Sequence, residues 1–479
     1  MRALARDAVS AALAAGADYA DARALTRRNQ AVSTRNHDVE AVSDGETGGV
    51  GVRVLVGGAW GFACDRRLDE AGAREAAVRA VAFARASASR ARARVNLAPA
   101  EPAGGDYVTQ HVRDPVDVPL EEKIDLCLRA EEGLRREGVQ VTQASVRAQR
   151  EVRAFASSEG ADVLQTFVEC GGGIDALAVA EGRVQSRSYP SSHGGSSAQA
   201  GWEYVENLGL EREAPRVAEE AVALLTAPPC PAGVTTIVLD AEQMQLQVHE
   251  SVGHPIELDR IYGTEAAYAG TSFLAPDDLG RLRYGSDLMT VTADATTPGG
   301  LGTFAWDDEG VPAGRDAIVE RGLLRGFLLS RETAARLGTG GGGSMRADGW
   351  SRMPLVRMTN LHLEPGEGTL EDLLADVDEG IYLATNKSWS IDDKRLNFQF
   401  GTEVAWEIER GRLGRMLRDA TYTGVTPMFW ASLDAVAGPS EWRMHGLTNC
   451  GKGQPGQHAH VSHGSSPARF RNVQVGVRS

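Results

Sequence analysis

The sequence predicts an α+β fold in two domains. An N-terminal α+β domain with antiparallel sheet covers residues 1–226, and a C-terminal domain rich in antiparallel β covers 234–479, with a histidine-bearing helix near its start. Three observations carry this. At 479 residues the chain exceeds what one ordinary core can fill. Strand-like runs follow one another instead of alternating with helices. The stretch Thr226-Ala227-Pro228-Pro229-Cys230-Pro231-Ala232-Gly233 has the composition of a linker.

The elements follow in order. Helix-forming residues up to Ala15 are ended by Gly16, and the β-branched residues and glycine turns of Asp21 to Asp38 and Gly48 to Gly61 predict antiparallel strands. An Ala-rich helix over about Leu68 to Ala86 has a face of solvated arginines, and an amphipathic helix is expected over Leu120 to Arg136. Strand-like runs separated by glycine turns fill Val139 to Arg187, and a helix from about Glu211 to Leu225 leads into the linker. The second domain opens on the strand Val234 to Asp240. From Leu288 onward short runs such as Leu323 to Leu329 alternate with glycine turns, which predicts more sheet. Gly340 to Gly343 have no side chains to pack, and predict a loop that either gates a site or is a tolerated insertion.

Hydrophobic residues at 42% and charged residues at 24% exclude collagen-like, coiled-coil and disordered classes. A net charge of −15 argues against nucleic acid and anionic membranes as partners, because both attract cationic surfaces. No run approaches the roughly 18 apolar residues of a membrane span. The five scattered cysteines form no disulfide framework and suit a reducing cytosol, so a cytoplasmic protein is expected.

The most informative stretch is Val248-His249-Glu250-Ser251-Val252-Gly253-His254. Two imidazoles and a carboxylate there predict hydrolytic zinc chemistry: His249 and His254 as ligands, with Glu250 taking the proton of the water that attacks a carbonyl. The usual spacing is H-E-x-x-H, with ligands at i and i+4. Here the second histidine is at i+5, which on a regular α-helix turns it roughly 140° from the first. A one-residue π-bulge around Ser251 to His254 would restore a shared face, and Gly253 eases it. A catalytic zinc needs a third protein ligand. Candidates lie in the tail: Cys450, whose glycine and polar neighbours are odd for a thiol that only packs, and His458, His460 and His463. Glu257 and Asp259, one turn on, could orient the ligands or pair with Arg260. Arg357 and Asn360, in a strand-like run, could hold a peptide backbone or brace the site. His37, His111, His193 and His362 have no motif context and are expected to be surface or structural residues.

Taken together the motifs resemble the TldD branch of the TldD/PmbA family. The resemblance runs through Gly48 to Ala63, the H-E-x-x-x-H segment continuing into Glu257 and Asp259, Arg357-Met358-Thr359-Asn360 with Pro365-Gly366, Gly380-Ile381-Tyr382, Ala420-Thr421 and Cys450-Gly451-Lys452-Gly453-Gln454. It implies a zinc metalloprotease whose ligands are His249, His254 and Cys450 and whose general base is Glu250. It also implies the active subunit, because the partner branch lacks the H-E-x-x-x-H. The substrates it implies are short or unfolded polypeptides, leader or modified peptides among them, cut inside the enclosed cavity of a homodimer or of a heterodimer with a PmbA-like subunit. The competing expectation is a non-catalytic zinc-containing regulator that binds a protein such as DNA gyrase, for which a closed four-ligand site would be diagnostic.

Overall fold

The computed structural model describes residues 1–476 apart from Arg92 and His193, so the expectation for His193 lies outside the described residues. The first half runs α1 (Arg2–Ala14), β1 (Tyr19–Arg35), β2 (Asp38–Val56), β3 (Ala59–Asp65), α2 (Glu70–Ala88), β4 (Gly104–Val108), α3 (Leu120–Leu134), β5 (Val139–Ser157), β6 (Asp162–Ala180), β7 (Arg183–Tyr189), β8 (Ser196–Ala198), α4 (Glu203–Leu208) and α5 (Leu210–Thr226). The second runs β9 (Gly233–Leu239), α6 (Ala241–Val248), a π-helical turn (His249–Gly253), α7 (Leu258–Ile261), β10 (Val291–Asp294), β11 (Arg315–Glu320), β12 (Leu323–Leu324), α8 (Arg331–Leu337), β13 (Met345–Arg346), β14 (Leu355–Val356), β15 (Asn360–Leu363) and α9 (Leu370–Ala375). It ends with β16 (Glu379–Ile391), β17 (Asn397–Glu409), β18 (Arg412–Leu417), β19 (Thr421–Val425), α10 (Thr426–Ala431), β20 (Leu433–Val436), β21 (Arg443–Lys452), β22 (Gln457–Ser465) and β23 (Ala468–Val475).

The α+β class is as expected. In the first half one sheet has the order β3-β2-β1-β5-β6-β4, with β7 and β8 also on β6. Strand periodicity separates its two faces. On β1, β2 and β5 the even positions are small and apolar (Ala22, Ala24, Val32, Val52, Val54, Ala144, Ala154), and they pack under α1 and α2 at one end and α3 and α5 at the other. Odd positions include the charged Arg23, Arg53 and Arg153, which face the second half of the chain. There Arg53 meets Glu309 at 3.1 Å, Arg153 meets Asp308 at 2.8 Å, and Arg23 meets Asp308 at 3.3 Å, all with little solvent access.

The second half has two larger sheets. One is ordered β12-β11-β10-β15-β22-β21. In the other, β16, β9, β23, β19 and β17 pair in sequence, and a further pairing of β16 with β17 closes them into a small barrel. A continuous core that includes Ile237, Leu239, Phe398, Phe400, Tyr422 and Phe470 fills the barrel and extends to Val291, Leu361 and Val461 of the other sheet. Helix α6 starts directly after β9 and is wedged between β16 and the β21–β22 pair. Two expectations are corrected. Only Leu323–Leu324 of the Leu323 to Leu329 run is strand, and Arg357 precedes β15 rather than lying in it. In both places the chain leaves the ladder to reach other partners: the Leu328 and Ile256 backbones bond, and Arg357 N–H bonds the Ser344 carbonyl.

Candidate metal centre

The site is built on α6. Asp240 caps the helix by accepting the Gln243 N–H at 2.7 Å, which supplies one of the donors' missing partners at a helix start. All eight residues of α6 are buried, so its polar side chains need internal partners. On the face away from the cavity Gln243 donates to the Tyr422 hydroxyl at 2.9 Å, Tyr422 donates to Gln247 at 3.0 Å, and Gln247 donates to Ser251 at 2.9 Å.

After Val248 the helix widens into a five-residue π turn in which His254 N–H donates to the His249 carbonyl at 3.2 Å. This is the i+5 register that the histidine spacing requires. The Ser251 carbonyl accepts the Tyr284 hydroxyl at 2.6 Å instead of a helical N–H. Gly253 is required by contact as well as by register, because a Cβ there would come within 2.2 Å of Met358 Sδ.

The remaining donor comes from β21 through a β-bulge. Leu447 is opposite Val461 and Cys450 opposite Ala459, so β21 advances three residues while β22 advances two. The extra residue puts Leu447 and Cys450 on one face, turned toward α6. As a result His249, His254 and Cys450 place one ligand atom each within 4.8 Å of one another, and all three residues are buried. Period-two alternation on β22 also sorts the tail histidines. His463 shares the face of Ala459 and Val461, while His460 is on the other face and bonds Glu169 at 2.5 Å. His458 is exposed.

The imidazoles are oriented from behind. His463 Nδ1 lies 3.3 Å from the Leu361 carbonyl, an acceptor only, so the proton sits on Nδ1 and Nε2 accepts. His463 Nε2 is 2.8 Å from His249 Nδ1, so His249 donates and keeps its Nε2 lone pair free. His254 Nδ1 donates to Glu257 at 3.0 Å, and its Nε2 faces Cys450 Sγ at 3.9 Å. Lys452, buried, in turn holds Glu257 at 3.2 Å and Asp259 at 2.8 Å. Burial lowers the His249 pKa, which favours the neutral ligand form. Burial pushes the Cys450 thiol up, but Arg357 and His254 outweigh it and hold the thiol below its ordinary value. Two imidazoles that present Nε2 and an easily ionised thiol fit a borderline-soft divalent metal.

These atoms line a cavity of about 200 Å³ together with Glu242, Gln245, Leu246, Glu250, Trp389, Arg395, Leu447, Asn449 and Gly451. Glu250 accepts a hydrogen bond from Arg395 Nη1 at 2.6 Å. Burial raises its pKa, and the imidazoles of His254 and His249 with Arg395 overcome that, leaving the carboxyl below its usual value. Arg357 and Asn360 are not brought to the cavity. Arg357 donates to the carbonyls of Cys450 and Gln457, and Asn360 spans Gly302, Asp294 and Thr303. Of the two roles open to them, these contacts are those of bracing residues outside the cavity. Asp259 serves Lys452, and Arg260 pairs instead with Glu265 at 3.1 Å. None of Gly340 to Gly343 lines the cavity. Trp389 and Arg395 were not foreseen, because they reach the cavity from a hairpin that only the barrel's closure brings near.

The geometry agrees with what comparison finds. The profile described as the PmbA/TldA metallopeptidase C-terminal domain matches residues 232–477, and those for domain 1 and the central domain match 20–88 and 113–227. The chain belongs to the TldD/PmbA metallopeptidase family. A metalloprotease of Methanocaldococcus jannaschii is 31% identical over 88% of this chain and 89% of its own length. One of Methanothermobacter thermautotrophicus is 30% identical over 96% and 95%. A relative from Saccharolobus solfataricus, 24% identical over 51% of this chain and 52% of its own, is called a zinc metalloprotease TldD homolog. The fold matches crystal structures of a Thermotoga maritima protein described as a modulator of a DNA gyrase (TM-score 0.76, 20% identity, 99% of both chains) and of TldE from Thermococcus kodakarensis (TM-score 0.75, 16% identity, 99% of this chain and 100% of that one). As a member of the TldD/PmbA family the protein is a metallopeptidase, and its His249-His254-Cys450 group is where a metal fits. No helix among the described residues is long and apolar enough to cross a membrane.

Proposed function

We propose that the protein is a zinc peptidase that cuts short or unfolded polypeptides, with His249, His254 and Cys450 holding the metal and Glu250 acting as general base. The convergence of those three ligand atoms next to Glu250, at the wall of a cavity, carries the reading. Zinc, when bound, supplies Lewis-acid polarisation of a carbonyl and activation of water. The chain supplies the rest. The His463 and Glu257 contacts fix the two imidazoles with Nε2 forward. Glu250 takes a proton from the attacking water and returns it to the leaving amine as the C–N bond breaks. Buried ligands on a cavity of about 200 Å³ support a substrate that enters as an extended chain rather than as a folded domain. Assembly as a homodimer, or with a PmbA-like subunit, belongs to the same proposal.

A regulator with structural zinc would call for a fourth protein ligand, whereas three donors beside a carboxylate favour catalysis. The test is metal analysis with mass spectrometry of products from a library of unstructured peptides. Glu250→Gln is expected to keep zinc and lose cleavage, and Cys450→Ala to lose both. Wild-type cleavage by zinc-loaded Glu250→Gln, or full zinc in Cys450→Ala, overturns the assignment.

A further inference from the structure

Arg395 is the sole arginine or lysine among the described residues that line the cavity. It sits in the hairpin between β16 and β17, where the Asp392 carboxylate accepts the N–H groups of Lys394, Leu396 and Asn397 at 3.1, 2.8 and 3.1 Å. The turn is tied down further. The Arg395 N–H bonds the Asp392 carbonyl at 2.9 Å, the Arg395 carbonyl accepts the Thr426 hydroxyl at 2.9 Å, and Arg260 reaches the Asp393 carbonyl at 2.9 Å. Within this frame Arg395 has φ +62°, a left-handed conformation that costs a branched or long side chain and persists only where the surroundings enforce it. The result is a guanidinium aimed at one place. Its Nη1 donates to Glu250 at 2.6 Å, and its Nε–H, buried, has no hydrogen-bond partner among the described residues.

From this geometry we infer that Arg395 is a catalytic residue, donating hydrogen bonds to the oxygen that becomes negative when the scissile carbonyl is attacked. The inference rests on the peptidase reading above. A carbonyl attacked by a water whose proton goes to Glu250 must lie against Glu250, and so within reach of the guanidinium that already touches it. In the step, the water oxygen bonds to the carbonyl carbon, the carbonyl π pair moves onto its oxygen, and the released proton neutralises Glu250. Negative charge therefore leaves the carboxylate that Arg395 holds in the resting state and appears on the oxygen beside it. The hold on Glu250 weakens as the pull from the oxyanion strengthens, so the interaction is stronger in the transition state than in the ground state, as catalysis requires. When the C–N bond breaks, the pair returns to the carbonyl, the amine takes the proton, and Arg395 returns to Glu250. A turn fixed at both ends does this with little reorganisation.

The experiment compares zinc-loaded full-length wild type, Arg395→Gln and Arg395→Lys on one unstructured peptide, as free acid and as C-terminal amide, together with binding of a phosphinic-peptide isostere measured by calorimetry. Arg395→Gln is expected to keep its zinc and lose about 100- to 1000-fold in kcat with KM nearly unchanged. Affinity for the phosphinate should fall in parallel, and Arg395→Lys should recover part of both. An unchanged kcat with a raised KM, confined to the free acid, would make Arg395 an anchor for the substrate's terminal carboxylate and overturn the proposal. Lost zinc with activity per zinc intact would make it a structural brace and overturn it too. An inactive zinc-loaded wild type strikes at the peptidase reading itself, whereas an active wild type with an indifferent Arg395→Gln strikes at this inference alone.

Discussion

His463 separates two ways of holding a metal, and replacing it has a calculable effect. It is fully buried, its Nδ1 bonds the Leu361 carbonyl at 3.3 Å and its Nε2 accepts from His249 Nδ1 at 2.8 Å. In His463→Phe a somewhat larger aromatic ring stands in and the acceptor is lost, so the His249 N–H is left buried without a partner at a cost of about 1–3 kcal/mol. The imidazole is also freed to take the other tautomer. Loss of a partner behind a metal ligand typically weakens metal affinity about 10- to 100-fold, or about 1.4–2.8 kcal/mol, the same range. Zinc dissociation constants from competition with a chromophoric chelator are therefore expected to rise 10- to 100-fold in His463→Phe, with one zinc per chain still bound at saturation. In His463→Gln the side-chain oxygen can reach the place of Nε2, and most of the affinity should return. Affinity equal to wild type in His463→Phe would refute the orienting role. Complete loss of zinc, as expected of Cys450→Ala, would make His463 a ligand.

Two further expectations concern stability. Gly253→Ala forces a methyl against Met358 Sδ in a packed interior, and overpacking of this kind costs about 1–3 kcal/mol, a fall in Tm of roughly 2–12 °C for a domain of this size; an unchanged Tm would show that the π turn tolerates a side chain. Glu151 is buried, which pushes its carboxyl up, yet Arg153 and Arg27 outweigh this and draw it down from 4.5 to about 2. A folded pKa below the unfolded one gives stability that is present above about pH 4.5 and is lost as pH falls through about 2, here on the order of 3 kcal/mol. Urea unfolding followed from pH 5 to pH 2 should show a steeper loss in wild type than in Glu151→Gln, and parallel curves would count against the linkage.

The metal helix was legible because its chemistry is local. Two histidines and a glutamate in seven residues point to the chemistry, and their spacing lets both histidines share one metal only if the helix is irregular. The longer helices of the first half were legible from composition and period, while the short α4 was not expected; the strands there were legible from β-branched runs, though the exposed first part of β2 carries too many acidic and glycine residues to announce a strand. What stayed hidden depends on pairing. Which tail histidine stands behind His249 is decided by strand parity on β22, and the orientation of Cys450 by one extra residue in β21, neither visible until the register is known. Arg395 is harder still. Asp392-Asp393-Lys394-Arg395 reads as a solvated charged turn, and only the closure of the barrel carries it to Glu250. The odd-numbered arginines of the first sheet likewise look like surface residues until the acidic side chains of the second half are placed against them.

The barrel's strand order has a consequence for biosynthesis. Strand β9, which leads straight into the metal helix, lies between β16 and β23, and β23 begins 229 residues after β9 ends (468 − 239). At typical synthesis rates of 5–20 residues per second that interval takes on the order of 10–50 s. Until it has passed, the ring stays open between β9 and β19. The topology therefore leaves the strand that leads into the metal helix without one of its two neighbours until the chain is nearly complete.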